Sequence, residues 1–413
     1  MTLKNASTLT PEDRSRRDYA TSWIMLLGLL TALGPLSIDM YLPALPAMSS
    51  SLGVSLASIS NTVPAYFLGL AVGQLIYGPV SDRFGRKPPL YFGLSLFVIA
   101  SVVCALSTDL SMLIAARVAQ ALGGCVGVVV ARSAIRDRLS PEASSQAYAM
   151  LMLVMGVAPI LAPVLGGTLL HFGWASIFWL LAAVGVASLL CIHYFFDETL
   201  APNHRRALSL PAVFKSYGSL LADGRFRTPA LAGGFLMGSL FVYISASSAL
   251  LIGHFGVSPQ WFGWLFGLNA AGLIAVSQLN GRLVRRFHLL RLLQIGTAMQ
   301  LTGVLVLLIL ALSGLATLLT VMMCLFVIVS GIGLTAPNST ALSLAEQGQR
   351  AGMASALLGS LQFGLGLLGG VVLHALPLPE LIGLALMMTV LVSLGAGAVW
   401  VYSVRAGRAI KDL

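Results

Sequence analysis

The sequence predicts an all-α membrane protein of twelve transmembrane helices in two six-helix halves, and three observations carry that expectation. Of 413 residues, 57% are hydrophobic and only 9% charged. A soluble domain carries about 25% charged residues, so this chain has too few to cover a water-facing surface. It does carry apolar runs of the roughly 20 residues that a helix needs to cross about 30 Å of hydrocarbon. Backbone groups find no water at that depth, so such runs must be helical. The third observation is that Lys and Arg gather on one side of the successive runs.

In order, the runs are 22–46, 58–80, 88–107, 110–131, 145–168, 174–196, 229–252, 260–281, 291–312, 314–336, 351–374 and 379–403. Turn residues mark the breaks, among them Ser107-Thr108-Asp109, Ser140-Pro141-Glu142, Phe172-Gly173 and Ser313-Gly314. The longest polar segment, 197–228, divides the chain. The expected domains are a cytoplasmic N-tail 1–21, an N-terminal bundle 22–196, a central cytoplasmic loop 197–228, a C-terminal bundle 229–403 and a cytoplasmic C-tail 404–413. The polar start lacks the small-residue cleavage pattern of a removed signal peptide, so the first run is expected to act as the insertion signal.

With the N-terminus inside, 23 of the 24 Lys and Arg residues fall in inside segments, counting Arg291 at the inner end of the ninth run, none fall in outside loops, and the last is Arg117 within the fourth run. Positive residues stay on the cytoplasmic side of membrane proteins, so the net charge of +10 is a topology signal and gives no reason to expect a nucleic-acid partner. Cys104, Cys125, Cys191 and Cys324 lie singly inside apolar runs and read as small apolar fillers. No metal-ligand spacing and no nucleophile–base pair is evident, so neither a metal, a cofactor nor an enzyme activity is expected.

An internal repeat supports two related halves. Gly78-Pro79-Val80-Ser81-Asp82-Arg83-Phe84 ends the second run, and Gly281-Arg282-Leu283-Val284-Arg285-Arg286-Phe287 ends the eighth, 203 residues later. The same offset carries Gly166-Gly167 onto Gly369-Gly370. Repeat-built transporters hold substrate between the halves near mid-membrane and rock one half against the other.

Of 14 acidic residues, only Asp39 lies in the interior of a run, Glu380 standing at the outer edge of the last one. An intramembrane ionisable group is a functional candidate by default. At 1.5 Å per residue, Asp39 and Arg117 both come roughly 10 Å below the outer edge of the hydrocarbon, where they can meet. One reading is a structural ion pair. The other is proton coupling, because removal from water favours a neutral carboxyl while a guanidinium favours the carboxylate, and a shift in either moves a proton. Tyr41, Tyr66, Gln120, Tyr243, Asn269 and Gln362 are candidate cavity residues, with interhelical hydrogen bonding as the plainer role for each.

The string Asp39-Met40-Tyr41-Leu42-Pro43-Ala44-Leu45-Pro46 resembles the first-helix signature of the Bcr/CflA family. These are the bicyclomycin- and chloramphenicol-type drug–proton antiporters of the major facilitator superfamily. Gly78, Asp82, Arg83, Gly85 and Arg86 sit in a segment similar to the superfamily's 2–3 loop motif, which reads as a gate. Arg117 to Gly123 resembles the fourth-helix motif, whose arginine is linked to proton transfer. Gly156, Pro159, Pro163, Gly166 and Gly167 resemble the fifth-helix antiporter motif, with Ala162 where the superfamily has Gly. Independently of any family, the two prolines each remove a backbone donor and bend the helix, which a packing helix also tolerates.

The resemblance implies a major facilitator fold and proton-coupled export, by alternating access, of neutral or monocationic drug-like compounds such as bicyclomycin, chloramphenicol or sulfonamide-type antibiotics. It implies a monomer in the bacterial inner membrane, with drugs, protons and the lipid bilayer as its partners. A proton-coupled metabolite exporter or an uptake symporter of the same fold fits the residues too. A non-transporting scaffold fits poorly, since Asp39 and Arg117 would serve nothing there.

Overall fold

A computed structural model describes residues 11–139, 141–201, 203, 205 and 210–411. Residues 1–10 of the expected N-tail, Ser140, residues 202, 204 and 206–209 of the central loop, and residues 412–413 lie outside that description. Among the described residues there is no strand, and twelve helices are long and apolar enough to cross a membrane.

The N-terminal half comprises α1 (Pro11–Asp39), the short α2 (Leu45–Leu52) and α3 (Leu56–Ser60), then α4 (Thr62–Phe84), α5 (Lys87–Ala105), α6 (Leu110–Arg138), α7 (Pro141–Leu169) and α8 (Ala175–Phe195). After a connecting helix, α9 (Leu210–Ala222), the C-terminal half holds α10 (Gly224–Ser248), α11 (Pro259–Leu283), α12 (Leu289–Ser313), α13 (Leu318–Leu344), α14 (Ala351–Ala375) and α15 (Glu380–Lys411). Polar residues start several of them by satisfying free N–H groups. Asp109 accepts from the Met112 N–H at 2.9 Å at the start of α6, and Thr317 and Thr320 cap α13 reciprocally.

Within each half, equivalent helices pack through equivalent small residues. A side chain at Gly93 of α5 would strike Val126 and the Gly123 carbonyl of α6, and one at Gly296 of α12 would strike Leu334 and the Gly331 carbonyl of α13. Gly93 and Gly296 also stand 203 residues apart, so the sequence repeat is a repeat of helix packing.

The halves meet along two further equivalent pairs, α4 with α14 and α7 with α11. The paired glycines of the repeat lie on both seams. Gly167 of α7 abuts the Pro259 backbone at the start of α11, and Gly370 of α14 abuts Pro64 at the start of α4. All four positions lie at the membrane face away from the Arg-rich loops, and the halves are closed there. Deeper in the same seam, Phe67, Phe241 and Phe363 stack with centroids 4.7 to 6.1 Å apart. At the Arg-rich face, a cavity of about 930 Å³ separates α4 and α6 from the start of α14, with α9 and Arg205 on its rim.

Two elements differ from the sequence expectation. The first run is not one helix to residue 46. Pro43 has no N–H for the Asp39 carbonyl, so α1 stops at Asp39, and the chain passes through a tight 3-10 turn, Leu42–Ala44, before α2 begins. The central loop contains α9, whose Tyr217 and Leu220 are buried against Phe226, Ala354, Leu357 and Leu358. The Tyr217 hydroxyl donates to the Leu75 carbonyl at 3.1 Å, tying the connector to both halves.

Candidate functional site

The break after α1 sets up the buried polar centre. Asp39 is the last residue of α1 and 4% exposed. Arg117, on α6, is fully buried. The two do not form an ion pair, and among the described residues Asp39 makes neither a salt bridge nor a hydrogen bond. Arg117 instead donates to the Ser37 carbonyl at 2.9 Å and to Gln120 Oε1. Its guanidinium lies 4.2 Å from the ring centres of both Tyr41 and Tyr66, with Phe178 at 5.8 Å. Cation–π contacts of this kind are worth about 2 kcal/mol when desolvated.

The expected meeting of the two charges therefore fails, for a geometric reason. Ser37 and Asp39 are two residues apart on a helix, which turns them roughly 200° from one another. The face that offers Arg117 a carbonyl cannot also offer it the Asp39 side chain. Arg117 is held by the N-terminal half alone, and Asp39 is left free of it.

The candidate cavity residues divide between the halves. Tyr41 shares a hydrogen bond with Thr62 Oγ1 at 3.0 Å. Gln120 continues from Arg117 to Ser101 Oγ at 2.8 Å, and Ser101 passes the chain to the Phe97 carbonyl. Tyr66 OH, Ser37 Oγ and Arg117 Nε are buried beside them without a hydrogen bond of good geometry. In the C-terminal half, Asn269 of α11 donates to the Tyr243 hydroxyl of α10 at 2.9 Å, and the Tyr243 ring stacks on Phe266 at 5.6 Å. Both residues are 1% exposed, and Asn269 Oδ1 has no partner. Gln362 lies half-buried on α14 beside the Phe363 stack and joins neither group.

The antiporter-motif helix, α7, runs unbroken through Pro159 and Pro163. Gly156 faces Ile274 of α11, Gly166 lies under the Met40 carbonyl one residue past Asp39, and Gly167 faces Pro259. Its smooth face thus closes on α11 and on the α1 break together.

The segment that ends α4 and opens α5 forms a charge cluster at the Arg-rich face. Arg86 is 1% exposed and donates to Asp82 at 2.7 Å, to Ser81 Oγ at 2.8 Å and to Asp137 at 2.8 Å. Gly85 adopts φ +94°, a conformation that favours glycine, and a side chain there would strike Glu198. Arg83 is exposed. Nothing lies within 4 Å of where a side chain at Gly78 would be, because it lines the open cavity.

Asp137 and Glu198 are the members that sequence reasoning missed. Glu198 follows α8 and accepts the backbone N–H groups of Arg86 at 2.8 Å and Lys87 at 3.1 Å, and so caps α5 from 111 residues away. Partial burial pushes its carboxyl up, but N–H donors from Arg86, Leu200, Lys87 and Thr199 outweigh this and hold it below the usual glutamate range. A carboxyl depressed on folding stabilises the fold above its unfolded value, and that stability is lost as pH falls through the folded value. Glu198→Gln is expected to cost about 1 kcal/mol at neutral pH, given partial solvent screening. Melting curves of wild type and variant should converge on acidification, and a gap independent of pH would refute the assignment.

The sequence matches the family described as Major Facilitator Superfamily over residues 27–372. It is 39% identical over 346 residues to an uncharacterized MFS-type transporter, YdgK, of Bacillus subtilis (strain 168), covering 83% of this chain and 85% of that one. It is 30% identical over 358 residues to a bicyclomycin resistance protein homolog of Haemophilus influenzae, covering 84% and 87%. The crystal structure of a D-xylose–proton symporter superposes with a TM-score of 0.75 at 16% identity, covering 92% of this chain and 97% of that one. At that identity the likeness concerns the fold alone.

Proposed function

The chain belongs to the major facilitator superfamily, and from that membership we propose that it is a proton-coupled exporter of drug-like molecules in the bacterial inner membrane. The observation that carries the proposal is the state of Asp39. It is a buried carboxyl at a helix break, between two halves that must move, and it is not committed to the nearby guanidinium. A carboxyl locked in an ion pair would keep its charge through the cycle. One without a cation partner can exchange a proton each time its surroundings change.

The name of the Haemophilus relative supports a drug as the cargo. The positive-inside rule makes the Arg-rich face cytoplasmic and both termini cytoplasmic with it. The cavity at that face then receives substrate from the cytoplasm while the opposite face stays shut. Asp82 and the start of α14 both line this cavity, and the α14 N-terminus has no side-chain cap. Closure of the cytoplasmic face would bring the acid towards the positive end of that helix, a favourable meeting. One carboxyl in an aromatic, weakly directional interior suits neutral or singly cationic compounds.

The test pairs susceptibility with proton movement. In an efflux-deficient bacterial host, expression should raise resistance to at least one of bicyclomycin, chloramphenicol, a sulfonamide, tetracycline or a cationic dye. Adding that compound to acid-loaded vesicles should release protons. Proton movement in the same direction as the compound would establish symport and overturn export.

A further inference from the structure

Asp39 has no cation partner, but it has a neighbour in the other half. The 3-10 turn that follows Met40 and Tyr41 packs against α10 and α11, the two helices that the Asn269–Tyr243 hydrogen bond joins. The Tyr243 hydroxyl lies within electrostatic reach of the Asp39 carboxyl. That hydroxyl already accepts a hydrogen bond from Asn269 Nδ2, so its own O–H is free to donate, and among the described residues nothing receives it. Stacking on Phe266, which stacks in turn on Phe262, fixes the ring, and Asn269 fixes the direction of the free O–H.

We propose that Tyr243 is the latch by which the C-terminal half reads the charge on Asp39. Ionised Asp39 accepts the Tyr243 O–H and ties α1 to α10 at the face where Gly167 and Gly370 already close the seam. When a proton settles on Asp39, the carboxyl no longer attracts that O–H, the tie is lost and this face is free to open. The inference rests on the proposed proton role of Asp39 and adds a rule that exchange requires. A carrier holding neither proton nor substrate is kept from turning over, so the gradient is not dissipated.

Other groups at this depth do not supply such a switch. Arg117 is engaged by Ser37 and Gln120, and Tyr41 by Thr62. Tyr66 lies against Arg117 within the same half. The stretches of α7, α8 and α11 that pack here (residues 158–169, 175–185 and 259–275) contain no titratable residue. On the other half, Ser245 and Ser247 bond to their own helix, whereas Tyr243 is the hydroxyl that Asn269 holds.

The test uses the full chain in lipid nanodiscs, with its four cysteines replaced by alanine and spin labels at Phe172→Cys and Leu315→Cys. These positions are 82% and 70% exposed and lie on opposite halves at the closed face. Distances between the labels are measured from acidic to alkaline pH. Wild type should shift from short to long distances on acidification, and Asp39→Asn should populate the long distance at every pH. Tyr243→Phe keeps the ring stack and should raise the long-to-short ratio above neutrality by roughly ten-fold, the weight of one charge-assisted hydrogen bond. Asn269→Ala, which only loosens the aim of the hydroxyl, should move the same way by less. If Tyr243→Phe and Asn269→Ala follow wild type at every pH while Asp39→Asn does not, the latch is wrong and the role of Asp39 stands. If Asp39→Asn keeps the full pH response, or wild type has none, both fail.

Discussion

Replacing Asp39 by asparagine is expected to abolish proton-driven efflux while leaving the protein folded. Asparagine keeps the shape of the side chain and removes only its capacity to carry a proton. No hydrogen bond or ion pair among the described residues is lost with the charge, so the melting temperature should barely move. One proton crossing 100 mV releases about 2.3 kcal/mol. At 1.36 kcal/mol per factor of ten, that sustains a roughly fifty-fold concentration ratio, and the variant should lose all of it. Steady-state accumulation of a transported dye, with and without a protonophore, reads the loss directly. The variant should match the de-energised wild type under both conditions. An Asp39→Asn protein that still lowers accumulation in a protonophore-sensitive way would remove Asp39 from the coupling mechanism.

Why Asp39 stood out in the sequence, and what stayed hidden around it, are both physical matters. A lone acid in an apolar run is visible because nothing in hydrocarbon solvates it, and a lone arginine is visible for the same reason. Their relation was not legible. It depends on the angle between residues 37 and 39 at a helix end, and the proline that ends the helix lies four residues beyond Asp39. The twelve helices were legible from hydropathy and the repeat from glycine spacing, since both are properties of single segments. The helix α9 was overlooked because its apolar face, Val213, Tyr217 and Leu220, is too short for a membrane span and sits in a segment judged polar as a whole. Asp137 and Glu198 look like ordinary loop acids. Their partner, Arg86, is 51 residues from one and 112 from the other, and only the fold brings them together. The equivalence of Tyr66 and Asn269, 203 residues apart, shows the repeat placing polar groups as well as packing glycines. In one half that place faces Arg117, and in the other it carries Tyr243.

Removing Arg86 is expected to be the most destabilising single change at the charge cluster, and the way it can be rescued identifies its structural partner. Its guanidinium holds Asp82, Ser81 and Asp137 at once, with its own side chain only 2% exposed. Asp137 is 12% exposed and Asp82 40%, so water can compensate Asp82 but not Asp137. Thr199 Oγ1 donates to Asp137 at 3.2 Å, too little to offset a buried negative charge. Breaking a buried pair from one side costs about 3–5 kcal/mol, because the remaining charge is stranded. Arg86→Met, which keeps most of the volume, should therefore lower stability by that order. Asp137→Asn added to Arg86→Met should restore a large part, since the stranded charge is gone, whereas Asp82→Asn should restore little. Thermal melting of the four proteins in one detergent measures this, and equal rescue by the two asparagines would show that the burial difference does not govern the cluster. The same difference separates their roles in transport. On the proposed transport cycle, Asp137, the more buried partner, would hold Arg86 throughout, while Asp82, 40% exposed, would be the acid that leaves it when the Arg-rich face closes. Asp82→Asn should accordingly slow transport with little loss of stability, the reverse of Asp137→Asn.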